Sequence, residues 1–260
     1  MKIQKIGIQN LVEYEKLFGV CFPKSKLKSD YLKWLYFSNP LGDVVGFDAI
    51  MDSVVVAHCA FIPTRVGESI GLLSLNVATH PSDQSQGLFQ KLVTHTIETW
   101  SKDYDFIIAV ANAQSAKTFI KRLGFMEIGR LNLRFGELHR SIEGARTWTM
   151  EDVNWRINSP RQKMQSRLTD QDHIEISVRP RNFPFKIKAL IHMENSMNSL
   201  IIEAETKKRY GFTIDWNRGL KPWIQLPERL KPSPLVMIYL SLNGNDLNLK
   251  SWSFPDFDAF

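Results

Sequence analysis

Residues Val77-Ala78-Thr79-His80-Pro81-Ser82-Asp83-Gln84-Ser85-Gln86-Gly87-Leu88-Phe89-Gln90-Lys91-Leu92-Val93 decide how this chain is read. The stretch leaves an apolar, strand-like run and crosses a polar loop with one glycine, Gly87. It then enters a helix whose apolar stripe continues through Leu88, Phe89, Leu92, Val93, Ile97 and Trp100. A strand–loop–helix junction aims several backbone N–H groups at one spot, and the helix N-terminus adds partial positive charge there. Such a junction suits a phosphate or pyrophosphate. A side chain at Gly87 would hold phosphates away from the backbone.

Outward from this loop the pattern is regular. Ile3 to Ile8 reads as an edge strand, and Val12 to Val20 has helical spacing. Ser29-Asp30 opens a helix through Tyr31, Leu32, Trp34 and Leu35, and Asn39-Pro40-Leu41-Gly42-Asp43 is a turn. Val44–Ile50 and Val54–Ile62 form a hairpin across Met51-Asp52-Ser53, and Ile70–Thr79 is a third strand. After the Leu88–Trp100 helix come a short buried strand at Phe106–Val110 and a helix at Ser115–Leu123 capped by Gly124. A strand at Phe125–Leu131 follows. Alone this order says only α/β or α+β, a mixed, mostly antiparallel sheet flanked by helices.

A change follows Gly136, with Glu143-Gly144-Ala145-Arg146 as a linker. Two domains are expected, 1–140 and a smaller 141–260. Met150-Glu151-Asp152-Val153-Asn154-Trp155-Arg156-Ile157-Asn158-Ser159-Pro160 echoes Ser29-Asp30-Tyr31-Leu32-Lys33-Trp34-Leu35-Tyr36-Phe37-Ser38-Asn39-Pro40. Each has an acidic cap, a Trp-centred helix and an Asn/Ser-Pro stop. The match needs a one-residue gap, so chance and a degenerate duplication both account for it. Ile174–Val178, Lys186–Ile191, Leu200–Ala204 and Leu235–Leu242 read as strands of the second domain, which has no glycine phosphate loop.

The bulk composition fits a soluble globular protein, with 43% hydrophobic and 23% charged residues. Its longest apolar runs fall well below the roughly 18 residues that span a bilayer. The N-terminus lacks the apolar core of a secretory signal. Cys21 and Cys59 give neither a disulfide framework nor metal spacing, so no metal is expected and a reducing cytoplasm is the simplest location. The net charge of +6 suits a solvated surface or a polyanionic small ligand, with Lys24, Lys26, Lys28 and Lys207-Lys208-Arg209 as the clusters. No nucleic-acid motif is present, and nothing fixes the oligomeric state.

Four segments resemble the GNAT acyltransferase superfamily over about the first 135 residues. Ser74-Leu75-Asn76-Val77-Ala78-Thr79-His80-Pro81 is similar to its central strand and exit. Gln84-Ser85-Gln86-Gly87-Leu88-Phe89 resembles its Arg/Gln-x-x-Gly-x-Gly/Ala loop, Ala111-Asn112-Ala113-Gln114-Ser115 the start of the next helix, and Lys121-Arg122-Leu123-Gly124-Phe125 its Lys-Leu-Gly-Phe end. Gln84 stands where arginine is commoner and Phe89 where glycine or alanine is usual. Phe119 or Ile120 stands where many members carry a tyrosine acid. The Trp34 helix and the closing Trp252-to-Phe260 segment resemble a two-domain subgroup often encoded with surface-polysaccharide enzymes.

The resemblance implies an acetyl-CoA-dependent N-acetyltransferase acting on a primary amine, such as an amino sugar or a nucleotide-linked amino sugar, or alternatively a non-catalytic coenzyme A-binding module. It implies that Leu75–Thr79, with Val77 and Thr79, lies along the pantetheine arm and that the Val77 N–H polarises the thioester. Gln84, Ser85, Gln86, Gly87, Leu88 and Phe89 would offer amides to the pyrophosphate, and Asn112 would bond the pantetheine arm. Asn112 reads equally well as a helix N-cap. The catalytic candidates are His58 and Asn76. His58 is a candidate base, but is also the kind of histidine found satisfied inside a strand. Asn76 would orient substrate or water, or make a structural contact. Asp48 is either a base or a solvent-facing edge residue. His80 belongs to the loop, and Tyr31, Trp34, Tyr36 and Phe37 read as helix core. Cys59 cannot pair with His58, because adjacent strand residues face opposite ways.

Overall fold

The computed structural model describes residues 1–138, 145–170, 173–180, 184–193, 209–217, 224–225, 235–245, 247–249 and 251–256. The expected strand at 200–204, Lys207-Lys208 and Glu143-Gly144 lie outside them.

The first sheet begins with edge strand β1 (Lys2–Lys5), antiparallel to β2 (Val45–Met51). Helices α1 (Leu11–Cys21) and α2 (Ser29–Phe37) lie between them in sequence. β2 turns into β3 (Val54–Val66) through Asp52 and Ser53, both with positive φ (46° and 65°). Paired positive φ is the twist that a two-residue hairpin turn needs. β3 pairs antiparallel with β4 (Ser69–Thr79), which leads into α3 (Leu88–Trp100). β5 (Phe106–Ala111), α4 (Ala113–Leu123) and β6 (Met126–Arg130) follow. Every first-half element expected from the sequence is present, with ends shifted by a few residues.

β7 (Asn132–Glu137) leaves for the second sheet. There it joins β8 (Gln165–Asp170), β9 (His173–Val178), β10 (Ile187–His192), β11 (Tyr210–Asn217) and β12 (Ile224–Gln225), all after α5 (Met150–Ile157). β13 (Val236–Ser241) returns to the first sheet and inserts between β5 and β6, antiparallel to both. The strand read at Leu235–Leu242 therefore belongs to the first sheet. Its apolar run signals burial, but burial alone does not say in which sheet. β14 (Ser251–Ser253) pairs with β11 in the second sheet.

The two sheets run in matching order, β6-β13-β5-β4-β3-β2-β1 and β12-β7-β11-β10-β9-β8. Directions also match. β4–β5 and β10–β11 are the parallel pairs among the described residues, and all other neighbours are antiparallel. In each sheet the strand beside the distal edge comes from the other half of the chain, β13 in the first and β7 in the second.

The echoed helices meet. Trp34 of α2 and Trp155 of α5 stack with ring centroids 4.8 Å apart. Each indole donates to the other's carbonyl, Trp34 Nε1 to Trp155 O at 3.2 Å and Trp155 Nε1 to Trp34 O at 3.4 Å. That reciprocity is what two copies of one motif related by a local two-fold produce. One face of the first sheet carries α1 and α2, and its core runs on into Ile174, Ile176 and Ile187 of the second sheet. The opposite face packs Phe47, Cys59, Phe61 and Ile107 against Leu88, Leu92 and Val93 of α3.

Candidate active site

β4 and β5 pair in parallel only from Gly71↔Phe106 to Ser74↔Ala109. Beyond Ser74 the strands part, and β5 continues against β13. At the same level β4 bulges. Ala60 pairs with Leu75 and His58 with Ala78, so Asn76 and Val77 stand opposite the single residue Cys59. Asn76 adopts left-handed φ (48°), which asparagine tolerates better than most residues. A bulge leaves a residue out of its ladder. With β5 gone on one side and the ladder interrupted on the other, the backbone at Asn76–Val77 is available to a ligand.

β4 then runs into the loop. His80 caps a 3₁₀ turn at Pro81–Asp83, its Nδ1 2.7 Å from the Ser82 hydroxyl. Gln84 Nε2 donates to Thr79 O at 3.2 Å, tying the loop to the strand end. Gln84, Ser85, Gln86 and Gly87 are exposed, Leu88 is buried and Phe89 is half-buried. Gly87 starts α3 at φ 73°, and a Cβ there would meet nothing within 4 Å. The glycine is thus required by its backbone, which L side chains rarely adopt, and the space over it is open. Lys91, one turn into α3, is exposed and lines the same surface hollow as Gly87. It is a cation for this loop that the loop motif did not single out.

Asn112 is the N-cap of α4. Its Oδ1 accepts from Gln114 N at 3.0 Å and Ser115 N at 2.9 Å. Thus the cap takes up the carbonyl and leaves only the NH2 for a ligand. Phe119 is buried, edge-on to Phe89 and Phe125, with no hydroxyl to act as an acid.

His58 and Asp48 are both fully buried, so Asp48 does not face solvent on an edge. They pair because of a second bulge. Met51↔Val54 and Ile50↔Val55 set the hairpin register, and one extra residue in β3 moves it so that Asp48 faces His58. Without that residue Asp48 would face Ala57. His58 Nδ1 lies 2.7 Å from Asp48 Oδ1 and Nε2 lies 3.0 Å from the Tyr36 hydroxyl. Asn76 Nδ2 donates to that hydroxyl at 3.1 Å. The two catalytic candidates are therefore joined through Tyr36, a residue read from the sequence as core. Cys59 faces the α3 side, where burial pushes its thiol well up.

Across 96% of the chain and 91% of its own length, a proposed acetyltransferase of Pyrococcus horikoshii superposes with a TM-score of 0.59 at 10% identity. The chain has a GNAT-like fold. Two further structures are similar over about half the chain. A GNAT family N-acetyltransferase from Escherichia coli in complex with CoA matches 48% of this chain and 68% of its own, with a TM-score of 0.40 and 17% identity. A glucosamine N-acetyltransferase region of a fungal multi-domain protein matches 52% of this chain and 18% of its own, with a TM-score of 0.45 and 15% identity. No family model and no curated protein matches the sequence.

Within this GNAT-like fold the second sheet repeats the parting strands but not the opening. β10 and β11 pair at Ile187↔Phe212. The buried Trp148 bridges Met193 just past β10 and lines the small cavity between the departing strands, with the Arg146 guanidinium 4.2 Å over its ring. Burial lowers Arg146, and it drops Arg156 to about 9, with the like charge of Arg146 adding to it. A large side chain thus stands where the first sheet leaves its backbone accessible.

Proposed function

We propose that this chain is an acyl-CoA-dependent N-acyltransferase that uses acetyl-CoA and a primary amine. One observation carries the reading: β4 parts from β5 at the level where it bulges, then runs directly into the left-handed Gly87 start of α3. The parted strands offer backbone to the pantetheine arm, and the uncapped α3 N-terminus offers amides to the pyrophosphate. Acyl transfer needs a donor at the developing oxyanion, and the Val77 N–H is assigned that role. The amine nitrogen attacks the thioester carbonyl carbon, the C–N bond forms, the C–S bond breaks, and the thiolate takes up a proton. His58 acts from beneath the surface, through Tyr36 and Asn76, because it is fully buried.

In this reading residues 1–140 carry the donor site and residues 141–260 form the smaller domain, which lends β13 to the first sheet. The acceptor is an amino sugar, free or nucleotide-linked, a choice supported by the resemblance of the Trp34 helix and the Trp252-to-Phe260 segment. The cytoplasm suits the free thiols Cys21 and Cys59. Among the described residues no helix is long and apolar enough to cross a membrane.

The buried, hydroxyl-free Phe119 favours a second reading, a coenzyme A-binding module without catalysis. One experiment separates them. Coenzyme A and acetyl-CoA should raise the melting temperature of the parent, by about 2.7 kcal/mol of stability at a hundredfold excess over Kd, and not that of Gly87→Glu. No shift in the parent overturns both readings. A shift without thiol release across a panel of amino sugars and small amines selects the binding module.

A further inference from the structure

A single line of hydrogen bonds runs beneath the parting of β4 and β5. Asp48 Oδ2 accepts from the Tyr14 hydroxyl at 2.6 Å and from Asn10 Nδ2 at 3.4 Å. From Asp48 the line continues through His58 and Tyr36 to Asn76. Tyr14, Tyr36, Asp48 and His58 are fully buried, and Asn10 and Asn76, at the two ends, are half-buried.

With a neutral His58 ring, the direction of this line follows from Asp48. A carboxylate can only accept, so His58 Nδ1 carries the proton that faces Asp48. A singly protonated ring then has a bare Nε2, and the Tyr36 hydroxyl must donate to it. With that proton committed, the Tyr36 oxygen accepts, and the group beyond it must donate. Asn76 therefore turns its NH2 inward, an assignment that follows from the chain of donors rather than from its atoms' similar shapes. Both tyrosines keep their protons, since burial first and the Asp48 charge in addition push them up. The Asn76 Oδ1 has no partner among the described residues.

We propose that Asp48, His58 and Tyr36 are positioning residues that fix the Asn76 carboxamide, so that its Oδ1 accepts an N–H of the amine arriving where β4 leaves β5. The proposal rests on the acyltransferase reading. An amide turned the other way would donate its N–H to the amine's lone pair and tie up the nucleophile. Oriented as described, it holds the nitrogen by a proton and leaves its lone pair to attack. The buried line also explains why a polar cluster stands in an otherwise apolar layer between α1, α2 and the sheet.

The test has a spectroscopic and a kinetic arm, both on the full chain. Ring-¹⁵N NMR should show His58 protonated at Nδ1 and bare at Nε2, and the Asn76 carboxamide resonances should move in Tyr36→Phe. A ring carrying a proton at Nε2, whether neutral or doubly protonated, or Asn76 resonances indifferent to Tyr36→Phe, overturns the proposal. The kinetic arm uses hydroxylamine as the amine and acetyl-CoA as the donor. Asn76→Gly keeps the left-handed backbone and removes the carboxamide. It serves even where Tyr36→Phe loosens the core. Each variant should keep its acetyl-CoA Kd within about twofold while kcat/KM for hydroxylamine falls by up to about 10²-fold, the cost of a misplaced reactant. Unchanged transfer, or a parallel loss of acetyl-CoA affinity, overturns the proposal while leaving the acyltransferase reading intact. A parent that binds no acetyl-CoA defeats that reading, and the role given to Asn76 falls with it.

Discussion

Glu15, on α1, holds the first turn of α2 in place. Its Oε2 accepts from Ser29 N at 2.9 Å and from Ser29 Oγ at 2.8 Å, and its Oε1 lies 2.7 Å from Lys28 Nζ. Those bonds, Lys28 foremost, lower its carboxyl from an ordinary 4.5 to about 2. A depressed folded value gives stability that is present above about 4.5 and lost as pH falls towards 2. The group is partly solvated, so the effect is modest. Glu15→Gln should melt slightly lower than the parent at pH 7, with the gap closing between pH 4.5 and 2. A gap that stays constant over that range in thermal melts would contradict the assignment. Glu15 could not be singled out in the sequence, because its partners sit 13 and 14 residues away across a helix turn. Asp48 and His58 were visible as residue types. Their pairing was not, since it depends on one bulged residue in β3 that no periodicity announces.

Among the elements, α3 and α4 carry their ends in the sequence. Gly87 and Gly124 hold left-handed φ at the start of one and the end of the other. Asn112 opens α4, and the structure supports its capping role directly. Asn112→Ala should cost about 1 kcal/mol in denaturant unfolding, while Asn112→Asp, which keeps an acceptor, should cost close to nothing. If Asn112→Asp keeps that stability but loses coenzyme A affinity, the carboxamide NH2 serves the ligand while the carbonyl caps the helix. The Trp-centred echo was visible in the sequence, and its two tryptophans, Trp34 and Trp155, stack on each other. By contrast, the strands of the second sheet were only partly readable. β11, Tyr-Gly-Phe-Thr-Ile-Asp-Trp-Asn, mixes Gly211 and Asp215 into its apolar pattern. Asp215 is there to pair with Arg134 of β7, a reason found only across the sheet.

For the whole molecule, the exchange of β7 and β13 joins the two halves more firmly than their packing alone would. Each sheet needs a strand from the other half to fill the gap beside its distal edge. A chain ending at residue 130 would keep β1 to β6 but lack β13. β5 and β6 would then face each other across an empty position, with two unpaired ladders and the apolar Met237 and Ile238 sites vacant. Open edges of that kind favour aggregation over folding. Such a fragment should be insoluble or lack a cooperative melt. A second fragment isolates the cause. Arg130 ends β6 directly opposite Val236, which starts β13, so an Asn-Gly turn between them makes a hairpin of the two strands. Residues 1–130, Asn-Gly and 236–242 should therefore fold with a cooperative melt. Their stability should be below that of the full chain, because Trp34 loses Trp155. If both fragments behave alike, the missing strand is not what couples the halves, and the shared core between α2, α5 and the second sheet must be.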